Sequence, residues 1–128
     1  MFTYSILPHS GDFKTGGTIN EAILLNRPLV AFDSVGGGNL PEKYSLIECD
    51  KENIIVETIK QAENGDGIVV RLHDEWNRKS APTLKFGFDV NKVYLTDMLE
   101  NVTIEIPVTD NMIKLNVSNF EIVTLLIK

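Results

Sequence analysis

From residue 45 onward the chain is a succession of short segments that favour β-strand, each ended by turn-forming residues. We predict eight strands: Ser45–Cys49, Asn53–Gln61, Gly67–Asp74, Thr83–Phe88, Lys92–Leu95, Val102–Ile106, Met112–Val117 and Glu121–Ile127. Short strands at this spacing, with turn signals between them, are typical of an antiparallel sandwich or barrel. The predicted fold class is therefore all-β: an antiparallel β-sandwich with one short α-helix near the N-terminus.

The clearest hairpin joins the second and third segments through "AENGDG". Its Asn-Gly and Asp-Gly pairs supply the positive φ angles that a tight reversal requires. Several strands, such as "IIV", "IVV" and "TLLI", are apolar on successive residues instead of alternating. We expect these strands to be covered on both faces, either by a second sheet or by something outside the chain.

The single helix is predicted from its end signals. Thr18 followed by Glu21 reads as a capping box, and Pro28 predicts that the helix ends after Asn26. The residues of the expected apolar face are Ile19, Ala22 and Ile23.

Size and charge narrow the possible partners. A chain of 128 residues predicts one domain over residues 1–128. The net charge is −6 and the basic residues are scattered, so the sequence predicts no nucleic acid partner and no anionic lipid partner. No apolar run reaches the ~20 residues that span a bilayer, and we expect no membrane association. Cys49 is the single cysteine, which fits a reducing compartment and a cytoplasmic location.

The two ends of the sequence also carry an expectation. Strand-like sequence follows Met1 directly, and the chain finishes within "IVTLLIK". Since most natural chains have a few poorly ordered terminal residues, we expect the sequence to be a piece of a longer polypeptide.

Two clusters could carry chemistry, and the first is "PHSGD". His9 and Ser10 are sequence neighbours whose side chains point to opposite faces of an extended segment, which disfavours a nucleophilic triad. His9 and Asp12 offer two metal ligands, whereas a catalytic zinc typically has three from the protein. The favoured interpretation is a turn shaped by Pro8 and Gly11, in which Ser10 and Asp12 bond local backbone groups.

The second cluster is "RLHDEWNRK". Asp74 and Glu75 invite comparison with the paired carboxyl groups of glycosidases, but adjacent acids at a strand end diverge. Trp76 could stack on the apolar face of a sugar ring, or it could pack into a core or an interface. The residues by themselves predict no self-contained active site.

A family resemblance joins these motifs. The stretches "FTYSILPHSGDF…INEAILLNRPL" and "IIVETIKQAENGDGIVVRLHDEWNR…VYLTDMLE…IKLNVSNFEIVTLLI" resemble, in order, the C-terminal β-sandwich region of glycoside hydrolase family 38, the α-mannosidases. The resemblance runs from Phe2 to Ile127 and is closest to the cytosolic and bacterial branch of the family. Two departures concern the end of the hairpin: Asp74 stands where the family usually has glutamate, and Asn77 where glycine is common.

The resemblance implies a role without catalysis. In the family, a zinc ion held by aspartates and histidines, and the aspartate nucleophile of a retaining mechanism, belong to an N-terminal domain that has no counterpart in residues 1–128. We therefore expect no catalytic residue, no metal ligand and no cofactor in this chain, with zinc implied only for the parent's catalytic domain. The chain is then an accessory domain that packs on the catalytic domain of the same polypeptide, which hydrolyses terminal α-D-mannosyl residues.

The candidate residues follow from these arguments. Residues that could lie at the interdomain surface or at the rim of the sugar cleft are His9, Ser10, Asp12, Arg71 and Asp74. Mannosyl oligosaccharides are expected partners through the parent enzyme, with Trp76 a possible sugar contact. The alternative is a free-standing carbohydrate-binding module that uses Trp76 with Tyr44 or Phe13, and a third hypothesis, an autonomous hydrolase, is not favoured.

Overall fold

A computed structural model describes residues 4–33, 36–39 and 41–128. The chain divides into two compact units, Met1–Asn39 and Leu40–Lys128. A single domain over residues 1–128 stays a prediction. Phe2, the first residue of the family's opening motif, and three residues of the Gly-rich connection, Ser34, Val35 and Leu40, lie outside the described residues.

The N-terminal unit contains helix α1, Thr18–Asn26, which ends where the sequence predicted. The predicted capping box is wrong, because the N-cap residue is Gly17, at φ 63°, and no side chain caps the helix. Thr18 is instead the first helical residue, and its buried hydroxyl has no hydrogen-bond partner in residues 4–33, 36–39 and 41–128. The backbone N–H of Glu21 donates to the carbonyl of Gly17 at 3.1 Å.

The C-terminal unit contains all eight predicted strands, with ends that differ from the predictions by at most three residues. The strands are β1 Ile47–Cys49, β2 Ile54–Gln61, β3 Ile68–Asp74, β4 Thr83–Phe86, β5 Val93–Thr96, β6 Val102–Ile106, β7 Met112–Lys114 and β8 Ile122–Ile127. They form a three-stranded sheet in the order β1-β4-β7 and a five-stranded sheet in the order β2-β3-β8-β5-β6. Every neighbouring pair is antiparallel.

One hydrophobic core joins the two sheets and confirms the β-sandwich. Leu84 and Ile113 come from the three-stranded sheet, and Leu72, Val93 and Leu125 from the five-stranded sheet, and all five are fully buried. The fold class is therefore all-β, an antiparallel sandwich with one short helix.

Of the strands with successive apolar residues, β3 and β8 are covered on both faces at their centres, as predicted. Leu125 of β8 belongs to the main core, whereas its neighbour Leu126 packs in a second cluster with Ala62, Val69 and Tyr94. Since successive side chains of a strand point to opposite faces, an uninterrupted apolar run serves both clusters.

Residues at positive φ shape the β2–β3 hairpin and the turn before β7. Gly65 (φ 76°) and Gly67 (φ 115°) form the β2–β3 hairpin turn that the sequence predicted. Asp110 (φ 51°) and Asn111 (φ 56°) form the turn before β7, where Thr109 and Met112 exchange two backbone hydrogen bonds. Among the described residues, no helix combines the length and the apolar character needed to cross a bilayer.

Candidate functional site

The carboxylate of Asp74 organises the end of strand β3. Asp74 is 1% exposed and accepts four hydrogen bonds. Oδ1 accepts from Asn53 Nδ2 at 2.7 Å and from the Trp76 N–H at 3.2 Å, while Oδ2 accepts from the N–H groups of Arg78 and Phe120, both at 2.9 Å. Burial opposes ionisation, but these four donors outweigh it and lower the pKa of Asp74 from 3.8 to about 2. Asp74 is therefore a buried, ionised group that holds the loop after β3.

Further bonds fix the same loop. The Glu75 N–H donates to the carbonyl of Asn53 at 3.0 Å, and Asn53 Nδ2 also lies 3.3 Å from Ser80 Oγ. Asn77 adopts φ 53°, and its carbonyl accepts from Asn119 Nδ2 at 2.6 Å. The loop is thus tied both to the residues before β2 and to the turn before β8.

An open groove of about 420 Å³ lies between this loop and the residues before β2. We call it the Trp76 groove. The charged and aromatic residues that line it are Asp50, Lys51, Glu52, Trp76, Arg78 and Lys79. It is a polar depression with one aromatic wall.

Trp76 is held in that wall by the neighbouring acid. The Trp76 side chain is half-buried and hydrogen-bonds the carboxyl group of Glu75, which is 9% exposed. Burial raises the pKa of Glu75, with the Trp76 hydrogen bond and nearby His73 opposing the rise. Glu75 Oε2 is buried and has no hydrogen-bond partner among the described residues. The indole ring is therefore positioned by a carboxyl group that solvent hardly reaches.

Arg71 does not line the Trp76 groove. Its Nη2 donates to the carbonyl of Met98 at 3.0 Å and lies 3.9 Å from Glu100 Oε1. The same Glu100 oxygen is 2.7 Å from Lys60 Nζ, and Oε2 accepts the Glu63 N–H at 2.8 Å. Hydrogen bonds from Glu63 and Lys60 lower the pKa of Glu100. Arg71 therefore fastens the β5–β6 loop to the five-stranded sheet.

His9, Ser10 and Asp12 lie in the N-terminal unit, just before the turn at residues 13–17. Asp12 Oδ1 accepts from the N–H groups of Thr15 at 2.9 Å and Lys14 at 3.0 Å, which confirms the turn interpretation for this residue. Hydrogen bonds from Thr15 are the main reason that the pKa of Asp12 is lowered. His9 Nδ1 lies 3.4 Å from the carbonyl oxygen of Ser10.

Tyr44, one of the two aromatic residues expected beside Trp76, lies in a different pocket. The Tyr44 hydroxyl donates to the carbonyl of Gly87, and its ring lines a separate pocket of about 200 Å³ with Lys85. Phe13 belongs to the N-terminal unit. The structure therefore does not place Tyr44 and Trp76 in one binding surface, contrary to the prediction from the sequence.

Sequence reasoning missed most of the groove. Asp50, Glu52 and Asn53 precede β2, and Arg78 and Lys79 follow β3. The predicted hairpin could have indicated the groove, because it pairs the start of β2 with the end of β3. In the structure Ile54 lies opposite Asp74 at this end of the hairpin. Antiparallel pairing brings both flanking segments to the same end of the sheet.

The described residues do not fit a metal centre. No three His, Cys, Asp or Glu side chains in residues 4–33, 36–39 and 41–128 lie close enough together to hold an ion. The zinc that the family resemblance implies for the parent enzyme has no ligand set in this part of the chain.

The sequence pattern described as "Glycosyl hydrolases family 38 C-terminal beta sandwich domain" matches residues 53–125, which include the paired strands β2 and β3 and the first four residues of β8. The chain belongs to this family. The match contains Asp74, Trp76 and the groove residues that follow β3.

Similar proteins are α-mannosidases. The chain is 30% identical to "Alpha-mannosidase 2C1" of Homo sapiens and 33% identical to its Mus musculus counterpart, in both cases over 98% of the chain. It is 32% identical to "Alpha-mannosidase G" of Dictyostelium discoideum over 77% of the chain. The chain spans 12% of the length of the first two proteins and 9% of the third. No solved structure matches it.

Proposed function

We propose that this chain is the non-catalytic accessory domain of an α-mannosidase and that it packs on the catalytic part of the same polypeptide. Family membership carries the proposal, together with relatives that are named α-mannosidases and are about eight times longer than the matched region. On this proposal the remainder of the parent holds the zinc ion and the aspartate nucleophile, and removes terminal α-D-mannosyl residues in the cytoplasm.

The apolar surface of the N-terminal unit supports packing against a further domain. Helix α1 has no buried residue, although Leu24 and Leu25 are among its side chains. A nine-residue helix is marginal in water without tertiary packing. The segment after it is equally uncovered, with Leu29 91% and Phe32 86% exposed. Contiguous exposed apolar side chains mark interaction sites, and the missing part of the parent polypeptide is the partner that the comparisons favour.

The hydrogen bonds and the exposure of the stretch "PHSGD" agree with a contact to another domain and not with a catalytic role. The Lys14 and Thr15 backbone N–H groups donate to Oδ1 of the Asp12 carboxylate, so this side chain serves to fix the turn. His9 and Ser10 are exposed, as residues at an interdomain surface would be before the partner covers them. We propose that these three residues touch the catalytic domain without reacting.

The experiment is a reconstitution of the parent enzyme from two polypeptides. The 128-residue chain and the remainder of the parent are produced separately, mixed and passed over an affinity column that retains the remainder. We expect the two to co-purify, an aryl α-mannoside to be turned over by the complex, and the 128-residue chain alone to be inactive. Full activity and stability of the remainder without the chain, and no co-purification, would contradict the accessory role.

A further inference from the structure

The charges around the Trp76 groove are nearly balanced. Asp50 and Glu52 contribute two negative charges, and Lys51, Arg78 and Lys79 contribute three positive ones. Lys51 Nζ lies 3.1 Å from Asp50 Oδ2, so one pair is already neutralised within the groove wall. The lining residues therefore carry a net charge of only +1, and a strongly charged ligand of either sign would meet repulsion as well as attraction here. A neutral ligand with many hydroxyl groups can instead use the carboxylates as acceptors and the ammonium and guanidinium groups as donors.

Within the described part of the chain, the side chains of Glu52 and Lys79 make none of the structural hydrogen bonds that occupy Asn53 and Asp50. Asn53 is used by Asp74, Arg78 and Ser80, and Asp50 Oδ1 accepts the N–H of Thr83 at 2.7 Å. Glu52 and Lys79 are exposed side chains at the groove. They can therefore exchange water for ligand hydroxyl groups without cost to the fold.

The aromatic wall is fixed before any ligand arrives. Asp74 holds the backbone N–H of Trp76, and the carboxyl group of Glu75 holds its side chain. Preorganised groups bind without the entropic cost of ordering them at the moment of binding. A rigid, half-buried indole offers an apolar surface with a polar edge, which matches a sugar ring with its C–H face and its hydroxyl rim.

The volume agrees with a small ligand. Binding pockets for small molecules and cofactors have volumes of about 300–1,000 Å³. At about 420 Å³, the Trp76 groove is at the lower end of that range.

We infer that the Trp76 groove binds a neutral hexose unit, with the Trp76 ring against the apolar face of the sugar and Glu52 and Lys79 bonding its hydroxyl groups. The proposed accessory role places no ligand on this chain, so the inference goes beyond it. Only the choice of mannose as the first probe rests on the proposed function.

The measurement uses the one tryptophan of the chain, whose fluorescence reports on the groove directly. Methyl α-D-mannopyranoside is titrated into the 128-residue chain to about 50 mM, a range that detects dissociation constants in the millimolar region. We expect a saturable change in emission. Methyl α-D-glucopyranoside and inorganic phosphate are titrated in parallel. No saturation by either glycoside, or saturation by phosphate alone, would overturn the inference.

Matched variants locate the site. Glu52→Gln removes a groove carboxylate but leaves Trp76 and the Asp74 network in place, and it should weaken binding about tenfold, the effect expected for one charge-assisted hydrogen bond. Glu105→Gln makes the same chemical change on β6, outside the groove, and should leave binding unchanged. Equal binding by the two variants would overturn the assignment to this groove. A reconstitution that fails while these titrations succeed would reject the accessory role alone.

Discussion

At the scale of a single residue, Asp74 decides whether the end of β3 keeps its shape. We predict that Asp74→Asn lowers the free energy of unfolding by about 3 kcal/mol at pH 7, because an amide NH₂ would face N–H donors that now bond a carboxylate. The donors left without an acceptor would be those of Arg78 and Phe120, or those of Asn53 and Trp76. Urea unfolding followed by tryptophan fluorescence measures the loss.

Asp110→Asn is the matched control for that substitution. Asp110 is exposed and lies at φ 51°, a conformation that asparagine also adopts readily. The change in charge is the same, but no buried hydrogen bond is lost. The free energy of unfolding should therefore stay within ~0.5 kcal/mol of that of the unsubstituted 128-residue chain. Similar losses in both variants would show that net charge, and not the Asp74 hydrogen bonds, controls stability.

The same carboxylate predicts an acid dependence. The pKa of Asp74 is about 2 in the folded chain and 3.8 ordinarily, so its ionised form favours folding at pH values above 3.8. That contribution, about 2 kcal/mol, is lost as the pH falls from 3.8 to about 2. The difference in the free energy of unfolding between the unsubstituted 128-residue chain and its Asp74→Asn variant should therefore shrink across this pH window. A difference that stays constant from pH 5 down to pH 2 would refute the lowered pKa.

At the scale of an element, the β2–β3 hairpin depends on one of its two turn glycines far more than on the other. A Cβ at Gly67 would lie 2.5 Å from the carbonyl oxygen of Ile127, and the residue is at φ 115°. A Cβ at Gly65, at φ 76°, would meet nothing closer than Gln61 Nε2 at 3.9 Å. We predict losses in the free energy of unfolding of about 3 kcal/mol for Gly67→Ala and about 1 kcal/mol for Gly65→Ala. Equal losses, measured by urea unfolding, would mean that backbone conformation alone governs the turn.

The strands were predictable from sequence because their signals are local. Turn residues such as Asn64-Gly65 punctuate apolar segments, and each strand lies within three residues of its predicted position. The capping box failed because Gly17 reaches a positive φ and takes the N-cap position, which places Thr18 one residue too far into the helix. A short-range sequence match cannot tell those two registers apart.

The groove and the buried network were harder to predict because they depend on contacts between distant residues. Phe120 donates to Asp74 across 46 positions, and Asn53 donates across 21. The stretch "RLHDEWNRK", which is one cluster in the sequence, has three separate roles in the structure: Arg71 fastens a loop, Asp74 is internal, and Trp76 lines the groove. Because successive side chains of a strand point to opposite faces, the sequence does separate Arg71 from its neighbour Leu72. The residues that line the groove beside Trp76, however, come together only when β2 pairs with β3.

At the scale of the whole molecule, a surface leucine should behave differently in the chain and in the proposed parent. Leu29 is 91% exposed, so Leu29→Asp should change the stability of the 128-residue chain by less than ~0.5 kcal/mol. If the catalytic part covers this residue, the same aspartate would be buried without a partner, and co-purification in the reconstitution should fall at least tenfold. Asn91→Asp adds the same charge at an exposed position of the C-terminal unit and should leave co-purification unchanged. Undiminished co-purification of Leu29→Asp would show that the N-terminal unit is not the surface that meets the catalytic part, whereas equal losses in both variants would assign the effect to charge.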